Sequence, residues 1–373
     1  MASDSTTKTV YTAPGLPPLH YGSKTLSFFE FWPTWLIYLP VALQWLVFAL
    51  RYRSLTLPML ANPALPLAGM VGVPKSVLLA QAEGRCKKAI LPWVVHHIDD
   101  TAVAAQARKL GEALAQAGLR LPLVCKPDIG CRGSGVKLIR SERELQDYLS
   151  AYPRGAGIMV QQLASWEPEA GVFFVKEPGH PQGKIISLAL KYSPYVVGDG
   201  QSTLEELIKA DPRARELHHL YVERHCEQLQ KIIAQGEPYK LVFSASHCRG
   251  AVFRDARELI TPALCQVIDS MMRDLPEFYY GRLDIKFKDV ESLMRGETLE
   301  IVEINAVSSE SLHIWDSQTP YFQAMRDLLA QYRLLFRLGH FHRQRGHRAP
   351  GLKRFIKHWK IERHLHRYYP PTD

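Results

Sequence analysis

The chain has 373 residues, 46% hydrophobic and 22% charged, which excludes an intrinsically disordered polymer and suits a globular protein of one or two domains. Six cysteines, Cys86, Cys125, Cys131, Cys226, Cys248 and Cys265, form no CxxC pair and do not alternate with histidine, so neither a zinc site nor a disulfide framework is expected, and reduced thiols in a cytosolic compartment are. The net charge of +9 is concentrated: ten Lys or Arg between Arg337 and Arg367 face the single acid Glu362, so a balanced fold carries a basic tail that meets something acidic.

Residues 31–50, FWPTWLIYLPVALQWLVFAL, carry no charge and lie between Glu30 and Arg51. They reach the roughly 20 residues that cross a bilayer as a helix. Pro33 and Pro40 interrupt that helix, and Trp32, Trp35, Tyr38 and Trp45 are scattered through it, so a re-entrant or interface-lying segment fits as well as a single span. No small-residue cleavage site follows, so the segment is expected to stay. Arg51, Arg53 and the tail then place the bulk on the cytoplasmic side of the inner membrane.

Next comes a connector with Pro58, Pro63, Pro66 and Pro74, read as a linker. Beyond it the pattern predicts a helix in SVLLAQAEG, a strand in AILPWVV and a helix over about 100–117. A strand LPLVCKP, a helix capped by Ser141 with Glu144 in capping-box spacing, and a strand GIMVQQL follow. FFVKEP and KIISLALKY read as antiparallel neighbours, TLEELIKAD as a capped helix after Gly198-Asp199-Gly200, 214–235 as a long helix and LITPALCQVIDSMMRDL as another. The strands YGRLDIKF and LEIVEIN close the series. The organisation expected is 1–55 N-terminal segment, 56–120 linker and start of the catalytic unit, 121–190 nucleotide subdomain, 191–335 metal-binding subdomain and 336–373 basic tail.

Two motifs carry chemistry. Lys126 ends a strand that enters a loop with Gly130, Cys131, Arg132, Gly133, Ser134 and Gly135; glycines let successive backbone N–H groups converge on phosphate oxygens, and the lysine adds charge. The spacing is neither a Walker loop nor a Rossmann fingerprint. The second is Gly281-Arg282-Leu283-Asp284, with Glu303-Ile304-Asn305 downstream. If the two strands pair, Asp284, Glu303 and Asn305 face one way as hard oxygen ligands suited to Mg²⁺ on phosphates.

In this order the residues from about Lys75 to Asn305 resemble the ATP-grasp ligases, especially D-alanine:D-alanine ligases and the ATP-grasp part of cyanophycin synthetases. The resemblance implies an α+β fold of two subdomains clasping ATP. It implies nucleotide binding by Lys126 and the Gly130–Gly135 loop including Arg132 and Ser134, by the hinge Gln161, Gln162 and Leu163, by Glu169 on the ribose, and by the pair Lys191-Tyr192. Lys75 would be an earlier nucleotide-side lysine. Arg282 and Lys191 would be catalytic, and Asp284, Glu303 and Asn305 would hold one or two Mg²⁺, with Mn²⁺ able to substitute. The hinge has glutamine where the family has glutamate, which still offers a carbonyl to the adenine amino group. The run Val197–Leu207 is similar to the GDG-x-S/T turn of the cyanophycin synthetase group. After Asn305 the chain reads Ala-Val-Ser-Ser-Glu instead of Thr-x-Pro-Gly, so D-alanine is not the expected substrate.

The chemistry implied is a C–N ligase: a carboxylate takes the γ-phosphoryl group of ATP to give an acyl phosphate, which an amine or hydroxyl acceptor opens with release of ADP and phosphate. The acceptor side would use His247 and Arg249 in Ser244–Gly250 and Ser308 and Ser309 past the metal ligands. His96-His97 and Asp99-Asp100 read as a solvated loop. The tail, with Leu352, Phe355, Ile356, Trp359 and Leu365 among basic residues, has the pattern of an interfacial helix on anionic lipid. Two readings compete with this membrane-associated ligase: an ATP-grasp enzyme modifying protein termini in a nucleic-acid-bound complex, and a nucleotide-binding scaffold without catalysis. A nucleic-acid partner is not the expected one.

Overall fold

The computed structural model describes residues 10–19, 32–130, 133–244, 246 and 249–372. The uncharged stretch becomes helix α1 (Thr34–Tyr52), which continues through Pro40 and ends at Arg53 in a left-handed turn. Ile37 and Val41 are buried, and Trp45, Phe48 and Tyr52 pack about the fully buried Phe336. The opposite face, Trp35, Leu39, Leu43, Leu46, Val47 and Leu50, is exposed. The connector after it corrects its reading as a linker. Leu57–Leu60 forms a tight 3₁₀ turn and Pro66–Gly69 a turn in which Leu67 and Ala68 take left-handed φ of +50° and +52°, and Leu57, Pro58, Met59 and Leu60 are buried. Proline denies the segment long helices and strands but presets the backbone for such turns.

Short helices α2 (Lys75–Leu79) and α3 (Gly84–Ala89) lead to the first sheet. Its strands β1 (Trp93–His97), β2 (Leu123–Pro127), β3 (Lys137–Ile139) and β4 (Gly157–Gln162) lie in the order β1-β4-β2-β3, all antiparallel. Helices α4 (Val103–Gln116) and α5 (Glu142–Ser150) cover one face through Leu110, Leu114, Leu145 and Leu149. At α5 Ser141 accepts from the Glu144 N–H at 3.2 Å, while the Glu144 carboxylate takes the Arg140 N–H at 2.8 Å. The expected cap is present, with its reciprocal bond moved back one residue.

The second sheet is built from β5 (Glu169–Val175), β6 (Lys184–Tyr192), β9 (Val252–Asp255), β10 (Tyr280–Lys286) and β11 (Glu300–Asn305), in the order β11-β10-β5-β6-β9. Every pair is antiparallel, including the two pairs anticipated from the sequence. Between β6 and β9 a side unit contains the antiparallel pair β7 (Tyr195–Val197) and β8 (Pro238–Lys240) with α6 (Leu204–Ala210) and α7 (His218–Arg224) around its own small core. The long helix expected over 214–235 is instead a 3₁₀ turn, Ala214–Leu217, followed by α7, which stops at Arg224. There the chain returns along α6: Leu204 N–H donates to Lys231 O and Glu205 N–H to Leu229 O. Helix α8 (Pro262–Arg273) packs on the large core, α9 (Val290–Arg295) joins β10 to β11, and α10 (Tyr321–Gln344) covers the opposite side. The basic tail forms α11 (Leu352–His366), none of it fully buried.

The architecture is α+β with two antiparallel sheets. They meet where the chain passes from β4 to β5, so the change of sheet falls between Gln162 and Glu169, while position 190 lies inside β6. Leu91 N–H bonds Ile301 O at 3.1 Å and ties the approach to the first sheet to the edge strand of the second.

Candidate functional site

A cleft of about 940 Å³ opens between the two sheets. Its floor follows from strand register. Asp284 opposes Glu303 and Arg282 opposes Asn305 across β10 and β11. Directly opposed residues of an antiparallel pair share a face, and alternation puts the residues two apart on that face too. The next strands extend the row, since Glu169 on β5 opposes Lys286 on β10 and Lys191 on β6. Lys286 was not anticipated, although it follows Asp284 by two residues and the alternation that placed Arg282 and Asp284 together also reaches it.

The charges interlock. Arg282 donates through Nε to Asp284 Oδ1 at 3.0 Å and through a terminal nitrogen to Oδ2 at 3.1 Å, with its other terminal nitrogen on Glu310 O at 3.2 Å. Asn305 donates to Asp284 Oδ2 at 3.0 Å. Lys191 is paired with Glu169 and lies 3.9 Å from Asp284, and Lys286 reaches the other Glu169 oxygen at 3.1 Å. Burial alone would raise the Glu169 carboxyl, but Lys191 and Lys286 outweigh it and hold it at about 2. Burial likewise opposes the charge on Lys191, yet Glu169 and Asp284 leave its pKa raised. Glu303 stays below the usual carboxylate range because Lys75, 3.5 Å away, and Lys126 overcome its desolvation.

The first sheet supplies the roof. Lys126, 5% exposed, donates to Gln161 Oε1 at 2.7 Å and Val302 O at 3.0 Å. Burial pushes its ammonium down to about 8, against the pull of Glu303. Lys75 bonds Gly130 O, and Asp128 anchors α2 by accepting from the Ser76 N–H at 2.8 Å and hydroxyl at 2.6 Å. Six cations, Lys75, Lys126, Lys191, Lys240, Arg282 and Lys286, line the cleft with six carboxylates, Glu167, Glu169, Asp284, Glu303, Glu310 and Glu362. Five of the cations gather around Glu169, Asp284 and Glu303, and cations beside hard oxygen donors fit a polyphosphate with a hard divalent cation.

Gly130, Gly133 and Ser134 line the cleft, whereas Arg132 and Cys131 lie outside the described residues. Gly133 and Gly135 have φ of +70° and +69°. A Cβ at Gly133 would come within 2.5 Å of an Arg249 nitrogen and 2.7 Å of the Ser244 hydroxyl. Ser244 and Arg249 therefore lie against the glycine loop, a contact that the acceptor-side reading of Ser244–Gly250 does not anticipate; His247 is outside the described residues. Ser308 and Ser309 line the cleft, Ser309 bonded to Asn305 O and Ala306 O.

Three residues sit differently from the sequence reading. Tyr192 is buried in the large core on the reverse face of β6, because its neighbour Lys191 occupies the cleft face. The Gln161 carbonyl is taken by Lys126, and that of Gln162 by the Arg120 N–H at 3.0 Å. The hinge glutamines thus shape the cleft while their side-chain carbonyls are engaged, and Leu163 follows them along its wall. A Ser-His-Asp row does exist, with His313 between Ser187 at 2.7 Å and Asp327 at 3.1 Å. Ser187 is sealed at 0% exposure, so the row is a strut.

Sequence reasoning also missed what closes the cleft from afar. Tyr38 of α1 donates to Glu310 at 3.1 Å, one residue from Ser309. From the tail, Glu362 accepts from Gly72 N–H, Tyr369 bonds Ile129 O, and the Thr372 hydroxyl donates to Gly133 O at 3.0 Å and accepts from Gly135 N–H at 2.9 Å. Such contacts span more than two hundred residues and leave no periodicity in the sequence.

No family model matches the chain. Among curated proteins it is similar to the cyanophycin synthetase of Geminocystis herdmanii, 22% identical over 232 residues, covering 57% of this chain and 26% of that protein. It is similar also to that of a Synechocystis species, 25% identical over 231 residues, covering 56% and 25%. Among solved structures, a bifunctional glutathione synthetase from Pasteurella multocida is 15% identical over 68% of this chain and 35% of that one, with a TM-score of 0.34, too low to carry an argument. The chain spans about a quarter of the length of the curated relatives it matches, and over that span its similarity to cyanophycin synthetases agrees with the ATP-grasp resemblance read from its residues.

Proposed function

We propose that the protein is an ATP-dependent ligase of ATP-grasp type that joins a carboxylate to an amine or hydroxyl through an acyl phosphate. The observation that carries the reading is the register of β10 and β11, which sets Arg282, Asp284, Glu303 and Asn305 on one face, opposite Lys126 and beside Lys191. The triphosphate of ATP would lie against Lys126, Lys191 and the Gly130–Gly135 loop. The adenine would lie toward Leu163, where the backbone is left to recognise it.

Asp284, Glu303 and Asn305 would hold Mg²⁺, or Mn²⁺ in its place, with the Asn305 amide turned to present its oxygen. When bound, the ion supplies Lewis-acid stabilisation of phosphate charge. The residues of the chain do the rest: Lys126, Lys191 and Arg282 offset the negative charge on the transferring phosphoryl group, and the low dielectric of the closed cleft strengthens each contribution. Arg282 is held ready by Asp284 and Glu310 O. No side-chain nucleophile is required.

The acceptor is proposed to be envelope- or lipid-linked, reached at the cytoplasmic side of the inner membrane. Tyr38 and Trp45 of α1 and Glu362 of α11 all line the cleft. Helix α1, whose outer face is apolar, and the basic α11 thus both border the cleft, an arrangement suited to a helix lying in an anionic interface. Packing of Ile37, Val41, Trp45 and Phe48 into the fold favours that posture over a span.

The test is trapping with hydroxylamine: protein, ATP, Mg²⁺, an amino-acid pool and hydroxylamine should yield a hydroxamate in step with ADP and phosphate. A hydroxamate accompanied by AMP and pyrophosphate would show adenylation and overturn the reading.

A further inference from the structure

Away from the cleft, three side chains distant in sequence converge on one point. Glu277 lies in the turn between α8 and β10, His342 in the last turn of α10, and His347 in the loop beyond it. Their ligand atoms all lie within 4.8 Å of one another, and His347 Nε2 is 3.6 Å from Glu277 Oε1. None of the three lines the cleft.

The central residue has no other evident occupation. His342 is 0% exposed, and neither ring nitrogen has a hydrogen-bond partner. A buried imidazole with two unsatisfied nitrogens is costly unless something binds it. The ring is instead positioned by aromatic contacts: Tyr279 meets it edge-on at 4.5 Å and Phe341 at 5.1 Å.

The backbone is arranged around the same point. His347 N–H donates to His342 O at 3.1 Å, which folds the loop after α10 back over the helix end. Glu277 adopts φ of +48°, a left-handed conformation uncommon for a residue other than glycine. Glu277 and His347 are part-exposed, so the point is reachable from solvent.

We propose that Glu277, His342 and His347 form a binding site for a zinc-class divalent transition metal. Two imidazoles and a carboxylate are borderline donors that suit Zn²⁺ or Co²⁺ over Mg²⁺. Metal–ligand bonds of about 2.0–2.1 Å place tetrahedral ligands roughly 3.3 Å apart, so small side-chain rotations close the set. Water completes it. The ion pins the C-terminal end of α10 to the turn that leads into β10, the strand of Arg282 and Asp284. The proposal does not rest on the ligase reading.

The test uses the full chain stripped by a chelator, then titrated with Zn²⁺ against a chromophoric competitor and with Co²⁺ by visible absorption. Glu277→Gln and His347→Ala remove part-exposed ligands, and His364→Ala on α11 controls for adventitious binding. The expected result is one ion per chain, with affinity about ten- to a hundredfold weaker in both ligand variants and unchanged in the control. At metal concentrations that saturate the wild type, the Co²⁺ d–d bands and the metal-dependent rise in Tm should shrink in the same two variants. If His347→Ala fails to fold, Glu277→Gln alone decides. Absence of stoichiometric binding to the wild type, or equal binding by Glu277→Gln, overturns the site.

Discussion

At the scale of single residues, the cleft is governed by how burial and ion pairing divide its charges. Lys126 is the weak point of that balance, since desolvation brings its pKa to about 8 from 10.5. With Lys126 holding the triphosphate, kcat/KM for ATP falls as pH rises through about 8, and Lys126→Met both lowers activity and removes that alkaline limb. Stability moves the other way. Because the folded pKa lies below the unfolded one, the unfolded chain binds more protons between about 8 and 10.5, and the penalty for burying the ammonium fades as pH rises through that window. An activity profile flat from pH 7 to 9 would remove Lys126 from the nucleotide site. Asp284, Glu303 and Asn305 were legible as a set because residue type and strand alternation both select them, whereas Arg282 was picked out through the resemblance. The Glu277, His342 and His347 cluster was not, since nothing in its spacing brings the three residues together.

At the scale of elements, the glycine loop is the part most dependent on its neighbours. Gly133 accepts from Thr372 and sits against Arg249, while Gly135 O accepts from Tyr148 at 2.6 Å. Thr372→Ala removes two loop contacts and the 3.1 Å bond from Arg249. Net loss of about 1 kcal/mol of loop ordering raises KM for ATP roughly fivefold while Tm changes little. An unchanged KM would mean that the tail rests on the loop without ordering it. The loop and its flanking strands could be read from glycine spacing and apolar runs. The shortening of α7 could not, because it is imposed by hydrogen bonds between its continuation and α6, and local helical periodicity carries no trace of that return. The buried connector was misread for a related reason: its prolines reported the lack of long elements and were silent about packing against α10.

For the molecule as a whole, α1 and α11 bring the two features that stood apart in the sequence, an apolar stretch and a basic tail, to one cleft. By length and composition the first is long and apolar enough to cross a membrane, yet one face of α1 is spent on α10. The outer face, with Leu43 and Leu46 more than half exposed, is the surface proposed to enter lipid. Leu43→Glu combined with Leu46→Glu should lower co-sedimentation with anionic vesicles at least about tenfold by placing two carboxylates against the bilayer, with ATP turnover in detergent-free buffer retained. Equal vesicle binding by this variant would point to α11 alone or to no membrane role.

The central claim is condensation chemistry in the cleft between the two sheets, and product analysis tests it most directly. Wild-type protein and Asp284→Asn are each incubated with ATP, Mg²⁺, an amino-acid pool and a lipid extract, and the products are read by mass spectrometry. The expected products with the wild type are ADP, phosphate and one new amide or ester, reduced about a hundredfold or more in Asp284→Asn. Formation of AMP and pyrophosphate, or of a phosphorylated product with no condensed one, would contradict it.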